Sequence, residues 1–145
     1  MSFRWPKPGP MHAPEYQLSS IPFVTSSTNN EVKGHAMGLA QSAVRVAFPF
    51  VTRWFAVRCS DGTRPLRVGF TAASVVGTGS YFVLPRDAGS GQDTPIVFDL
   101  AVKELFFSSD NHTFASDFSL IAGLTNIPSK FFPTLTASNG HEGVG

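Results

Sequence analysis

Between positions 48 and 127 the chain is a succession of short apolar runs, each closed by turn chemistry. The runs are FPFVTRWFAVR (48–58), LRVGFT (66–71), YFVL (81–84), PIVFDLAVKELFF (95–107) and DFSLIAGLTNI (117–127). SDGTRP, VVGTGS, PRDAGSGQDT and SSDNHT separate them. Gly, Pro, Asp and Ser at such short intervals interrupt the chain before a long amphipathic helix can form. The β-branched and aromatic residues between them suit a pleated, half-buried surface. This spacing predicts an all-β, antiparallel sandwich or barrel, with little room for buried catalytic apparatus.

Alternation sharpens the expectation. Val44, Val46 and Phe48 point one way with Arg45 and Ala47 opposite, and Pro49 breaks the ladder. Phe55, Val57 and Cys59 alternate with Trp54, Ala56 and Arg58, and Leu66, Val68 and Phe70 alternate with Arg67, Gly69 and Thr71. Asp61-Gly62 lies between these two strands and predicts a hairpin with a loop longer than two residues. Residues 81–84 form a short strand, and 87–94 an exposed tip. Residues 95–107 read as one long strand with Ile96, Phe98, Leu100, Val102 and Glu104 on one face, bending at Glu104-Leu105. Phe118, Leu120 and Ala122 alternate with Ser119, Ile121 and Gly123, and residues 131–137 give a last short strand. Counting from position 41, seven or eight strands follow, the number a jelly roll needs. Leu66, Val68, Phe70, Phe98, Leu100, Phe118 and Leu120 are the expected core.

Residues 1–40 are expected to be an extended Pro/Gly-rich arm and loop, ahead of a β-domain over 41–145. Pro6, Pro8, Pro10 and Pro14 exclude a continuous helix or ladder, because proline fixes φ and lacks a backbone donor. Phe3, Trp5, Met11 and Tyr16 are spaced like anchors, which predicts an arm that docks on a partner or on its own domain and, more specifically, contacts another chain. Residues 21–25 (IPFVT) are a candidate strand that Pro22 confines to a sheet edge. The start, MSFRWPKPGP, lacks the apolar core of a secretory signal, and no apolar run approaches membrane-spanning length.

Composition favours a structural or binding role. Only 14% of residues are charged, against a usual share of about 25%. Part of the surface is therefore expected to be covered by neighbours, although a β-domain rich in Ser and Thr also lowers that share. The net charge of +1 and the scattered Arg45, Arg53, Arg58, Arg64 and Arg67 offer no nucleic-acid face. Fourteen Phe against two Trp and two Tyr indicate core or dry interface.

Catalytic patterns are lacking. His12, His35, His112 and His141 fall in arm, loop or tail without metal-ligand spacing. Gly77-Thr78-Gly79-Ser80 looks like a phosphate loop, but a strand rather than a helix follows it. Cys59 shares the parity of Phe55 and Val57, which favours packing over reactivity, and as the only cysteine it allows no internal disulfide. Asn111-His112-Thr113 fits a glycosylation acceptor and reads more simply as a polar loop. Asp99 and Lys103 would share a strand face, either as a solvated pair or as a bridge to a neighbour. No catalytic, cofactor or metal residues are assigned. The candidates for assembly contact are Phe3, Trp5, Tyr16, Asp61, Arg64, Asp87, Asp99 and Lys103.

Taken in order, RWFAVRCSDGTRPLRVGFT, SYFVLP, FDLAVKELFFSS, DFSLIAGLTNIPSKFFP and SNGHEGVG resemble the penton, or vertex, capsid proteins of large icosahedral double-stranded DNA viruses. The resemblance covers residues 48–145, and its most specific pieces are LRVGFT (66–71), AGLT (122–125) and the terminal GVG (143–145). It implies a single eight-stranded jelly roll of two packed sheets, five copies around each vertex of the virion, and no activity or cofactor. It further implies a homopentamer that meets major and minor capsid proteins after assembly in the host cytoplasm. The alternative is a β-sandwich binding module for carbohydrate or receptor attachment, whose sign would be exposed Trp and Tyr in loops. Only Trp5, Trp54, Tyr16 and Tyr81 are available, and two of them lie in the arm.

Overall fold

The computed structural model describes residues 21–27, 32, 43–60, 65–77, 79–84, 94–111 and 114–144. Within them run eight strands: β1 (Ile21–Ser26), β2 (Val44–Ala47), β3 (Phe50–Cys59), β4 (Leu66–Gly69), β5 (Phe82–Leu84), β6 (Ile96–Phe98), β7 (Glu104–Ser109) and β8 (Phe118–Pro128). One short helix, α1 (Ala72–Val76), joins β4 to β5, and 3-10 turns occupy Ser129–Phe131 and Ala137–Asn139. The strands make two four-stranded antiparallel sheets, ordered β1-β8-β3-β6 and β2-β7-β4-β5. The pairing is nested, first strand with last and inwards: β1 with β8, β2 with β7, β3 with β6, β4 with β5.

The period-2 rows become the core between the sheets. Phe55, Val57 and Cys59 of β3 and Phe118, Leu120, Ala122 and Leu124 of β8 face Leu66 and Val68 of β4 and Leu105 and Phe107 of β7. Phe107 stacks on Phe118 with ring centroids 4.2 Å apart. Phe55 and Phe98 stack at 5.0 Å, and Phe82 meets Phe98 edge-on at 5.6 Å. Leu66, Val68, Phe118 and Leu120 are buried as expected, while Phe70 and Phe98 are partly buried against the same core. Cys59 is buried, its Sγ 3.4 Å from Ser116 Oγ. β1 is an edge strand, as Pro22 requires.

Four expectations are corrected. β3 and β4 are not a hairpin: they lie in opposite sheets, and their apolar rows meet across the core. Alternation tells which way a side chain points, and it cannot separate a neighbour in the sheet from one facing it. Residues 95–107 are not one strand either, because β6 ends at Phe98, β7 begins at Glu104, and the segment between crosses from sheet to sheet. Leu100 lies in that crossing and is 43% exposed, so it is not core. Residues 131–137 form no strand; they run from the end of one 3-10 turn, which follows Pro128, to the start of the next, and Leu135 packs partly buried against the core. Seven strands follow position 41, within the expected seven or eight, and the eighth is β1, at the candidate strand of residues 21–25.

Buried hydroxyls hold the irregular places. Thr52 Oγ1 donates to Leu100 O (2.8 Å) and accepts from Val102 N (2.9 Å), pinning the crossing to β3. At the same place the β3–β8 register slips, and Thr125 Oγ1 donates to Val51 O at 2.8 Å, satisfying a carbonyl near the slip.

Candidate assembly surfaces

The outer faces of the two sheets differ. On β2-β7-β4-β5 the outward side is covered by α1. Thr71 caps the helix: its Oγ1 accepts from Ser74 N (3.0 Å), and Ser74 Oγ lies 3.4 Å from Thr71 N. Arg67 points outward from β4, as its parity requires, yet is buried beneath this connection. Its guanidinium donates to Asp110 Oδ1 (2.6 Å) and Gly77 O (3.2 Å) and lies 3.9 Å from the centre of the Tyr81 ring. Farther along this face Arg45 pairs with Glu104 at 2.6 Å, with the arginine exposed. One outer face is therefore polar and partly roofed.

The outer face of β1-β8-β3-β6 has no described element over it. Its register aligns Val24 with Ile121, Ile121 with Ala56, and Ala56 with Val97, so four apolar residues cross all four strands in one row. Val24 is 71% exposed, Val97 65% and Ile121 45%. Ala56, too short to project, floors the row between its neighbours. A second row sets Pro22 beside Gly123 and Gly123 beside half-buried Trp54. A third, Ser26, Ser119 and Arg58, forms a polar border. Between the first and third rows lies a groove of about 240 Å³ reached by Val24, Arg58, Pro95 and Ile121. Single exposed apolar residues are ordinary on a soluble domain, but a contiguous row marks a contact surface.

A second apolar surface opens where β6 and the β4–β5 edge part. This cleft of about 320 Å³ is lined chiefly by Phe55, Val68, Phe70, Tyr81, Phe82 and Phe98. Phe82 has the inward parity of Leu84 but stands 49% exposed at the mouth, because the sheets do not close over it.

Of the candidate contact residues, Phe3, Trp5, Tyr16, Asp61, Arg64 and Asp87 lie outside the described residues. Asp99 is exposed on the crossing between β6 and β7. Lys103, on the same crossing rather than on a strand face, turns inward along the chain: its Nζ donates to Phe132 O (3.3 Å) and Thr134 Oγ1 (2.8 Å). The row on the outer face was not singled out as a site from the sequence. Its signal was present in the outward parity of Val97 and Ile121, but only the register places them side by side. Among the described residues no group of His, Cys, Asp and Glu is arranged to hold a metal ion, and no helix is long and apolar enough to cross a membrane. The chain matches no protein-family model, and neither a curated protein nor a solved structure matches it.

Proposed function

We propose that this chain is a structural capsid protein, a single jelly roll standing in rings of five at the vertices of an icosahedral virus shell. The observation that carries the reading is the nested strand pairing: a long antiparallel ribbon rolled over itself so that first pairs with last gives two four-stranded sheets in this order. A ring requires two different surfaces, since one flank of each copy meets the opposite flank of the next and rotation closes the circle. The bare sheet face and the aromatic cleft are two different apolar surfaces on one copy, each open to a different contact. The sequence resemblance to penton proteins supplies the identity, and the protein acts by assembly rather than by turnover. Its partners in this reading are four further copies and the surrounding major and minor capsid proteins of the virion.

The test is the mass of the purified protein by native mass spectrometry, together with its position in particles by electron microscopy. Pentamers, or density at five-fold vertices, support the proposal; a chain found only at other lattice positions ends it. The cleft favours one second reading, a sandwich module that takes carbohydrate or a receptor segment against Tyr81 and Phe82. A monomer that binds a defined glycan on an array would replace the first reading with this one.

A further inference from the structure

Resting on the reading above, the outer face of β1-β8-β3-β6 raises the question of what covers it. The row Val24, Ile121, Ala56 and Val97 runs perpendicular to the strands, with Trp54 beside it. The opposite sheet has α1 on its outer side, so the two faces of one sandwich are unequally finished. Such a row suits a narrow apolar ligand laid across the strands better than a flat partner, because Ala56 leaves a dip between Ile121 and Val97.

The chain supplies a segment of that character. Residues 1–20, which precede β1 and lie outside the described residues, carry Phe3, Trp5, Met11 and Tyr16 among four prolines. Proline-rich sequence favours extended backbone, rising about 3.1 Å per residue and acting as a semi-rigid spacer. At that rise the sixteen steps from Trp5 to Ile21 reach up to about 50 Å. Four strands about 4.8 Å apart put Val24 and Val97 only about 14 Å apart. Val24 is three positions inside β1, so an arm covering its own row would have to reverse at the start of β1 and would use only a fraction of its reach. The reach suits a neighbouring molecule.

We propose that the row Val24, Ile121, Ala56 and Val97 is the seat of residues 1–20 of a second copy of this chain, with the Phe3–Trp5 end as its anchor. The exchange gives each copy an apolar face to offer and an aromatic arm to place.

The test uses the full chain carrying Trp5→p-benzoylphenylalanine, irradiated in an equal mixture of isotopically heavy and light protein. Cross-links joining heavy to light chains at peptides of β1, β8, β3 or β6 are the expected result. Val24→Asp with Val97→Asp should lower their yield about tenfold or more, since each removes a buried valine's worth of apolar contact. The milder pair Val24→Thr and Val97→Thr keeps β-branched shape should the charged pair fail to fold, and should lower the yield several-fold at an unchanged melting temperature. Cross-links confined to single chains, cross-links to any other surface, or yields indifferent to both variants overturn the proposal. Native mass read on the same samples separates the two ideas: pentamers with cross-links elsewhere refute the arm's seat alone, while a monomer at every concentration refutes the ring itself.

Discussion

Phe107 and Phe118 stack between the sheets, each fully buried and each contributed by a different sheet. Truncating either to Ala leaves a cavity that rigid strands on both sides cannot close. Phe107→Ala or Phe118→Ala should cost about 3–5 kcal/mol in chemical denaturation, a large part of a small domain's stability. Leu100→Ala should cost less than about 1 kcal/mol, because its side chain already stands largely in water. Equal losses at the three positions would mean that the stacked pair does not hold the sheets together. Phe118 was legible as core from its alternation with Ser119, whereas Leu100 obeyed the same rule and escaped it. A parity argument holds only while the strand continues, and the chain leaves β6 two residues before Leu100. Cys59, buried on the inner face of β3, should react with a thiol reagent only as fast as the domain unfolds. Rapid modification of the native protein would show that the β3 end opens independently.

At the scale of elements, two small devices decide how the strands are connected. The crossing from β6 to β7 is tied to β3 by the Thr52 backbone N–H, which donates to Val102 O at 2.9 Å, and by the Thr52 hydroxyl, so Thr52→Val keeps shape and the backbone bond while removing the bonds to Leu100 O and Val102 N. Leaving buried Val102 N and part-buried Leu100 O without Thr52 should cost about 1–3 kcal/mol, read as a shift of the denaturation midpoint at unchanged slope. The second device is α1, which packs so closely on β4 that a Cβ at Gly69 would lie 2.6 Å from Ser74 Oγ and 2.7 Å from Val75 Cγ1. Neither neighbour yields easily: Val75 is buried, and Ser74 Oγ is held by its bond to Thr71 O at 2.8 Å. Gly69→Ala should therefore destabilise by about 1–3 kcal/mol and speed amide exchange through residues 71–77. A neutral effect would mean that the helix lifts freely from the sheet. The helix start could have been read from Thr71 and Ser74, three apart before Val75, as a capping pattern. The burial of Arg67 could not, since it depends on the helix that follows β4 folding back over the sheet and on Asp110 and Tyr81 arriving from elsewhere in the chain.

For the whole molecule, the proposed ring predicts that deleting residues 1–20 leaves the β-domain folded, with a melting temperature within a few degrees of the parent, but weakens assembly into pentamers or shells. Loss of the fold would show that the arm is part of the domain, and undiminished assembly would show that it is no contact at all. The sequence by itself determined the class of structure and most of its inside. Alternation of Val, Phe and Leu with Arg, Ser and Ala assigned the inward side of β2, β3, β4 and β8, and Pro22 assigned β1 to an edge, because both are local consequences of backbone geometry. Which strands are neighbours was decided only in three dimensions. β3 and β4 follow one another in sequence but face each other across the core, and the apparent strand at 95–107 divides between sheets. Strand pairing joins residues far apart in the chain, so a one-dimensional pattern carries each strand's parity without its partner. The apolar row on the outer sheet face exists for the same reason: Val24, Ile121, Ala56 and Val97 come from four separate strands, and only their register makes them a surface.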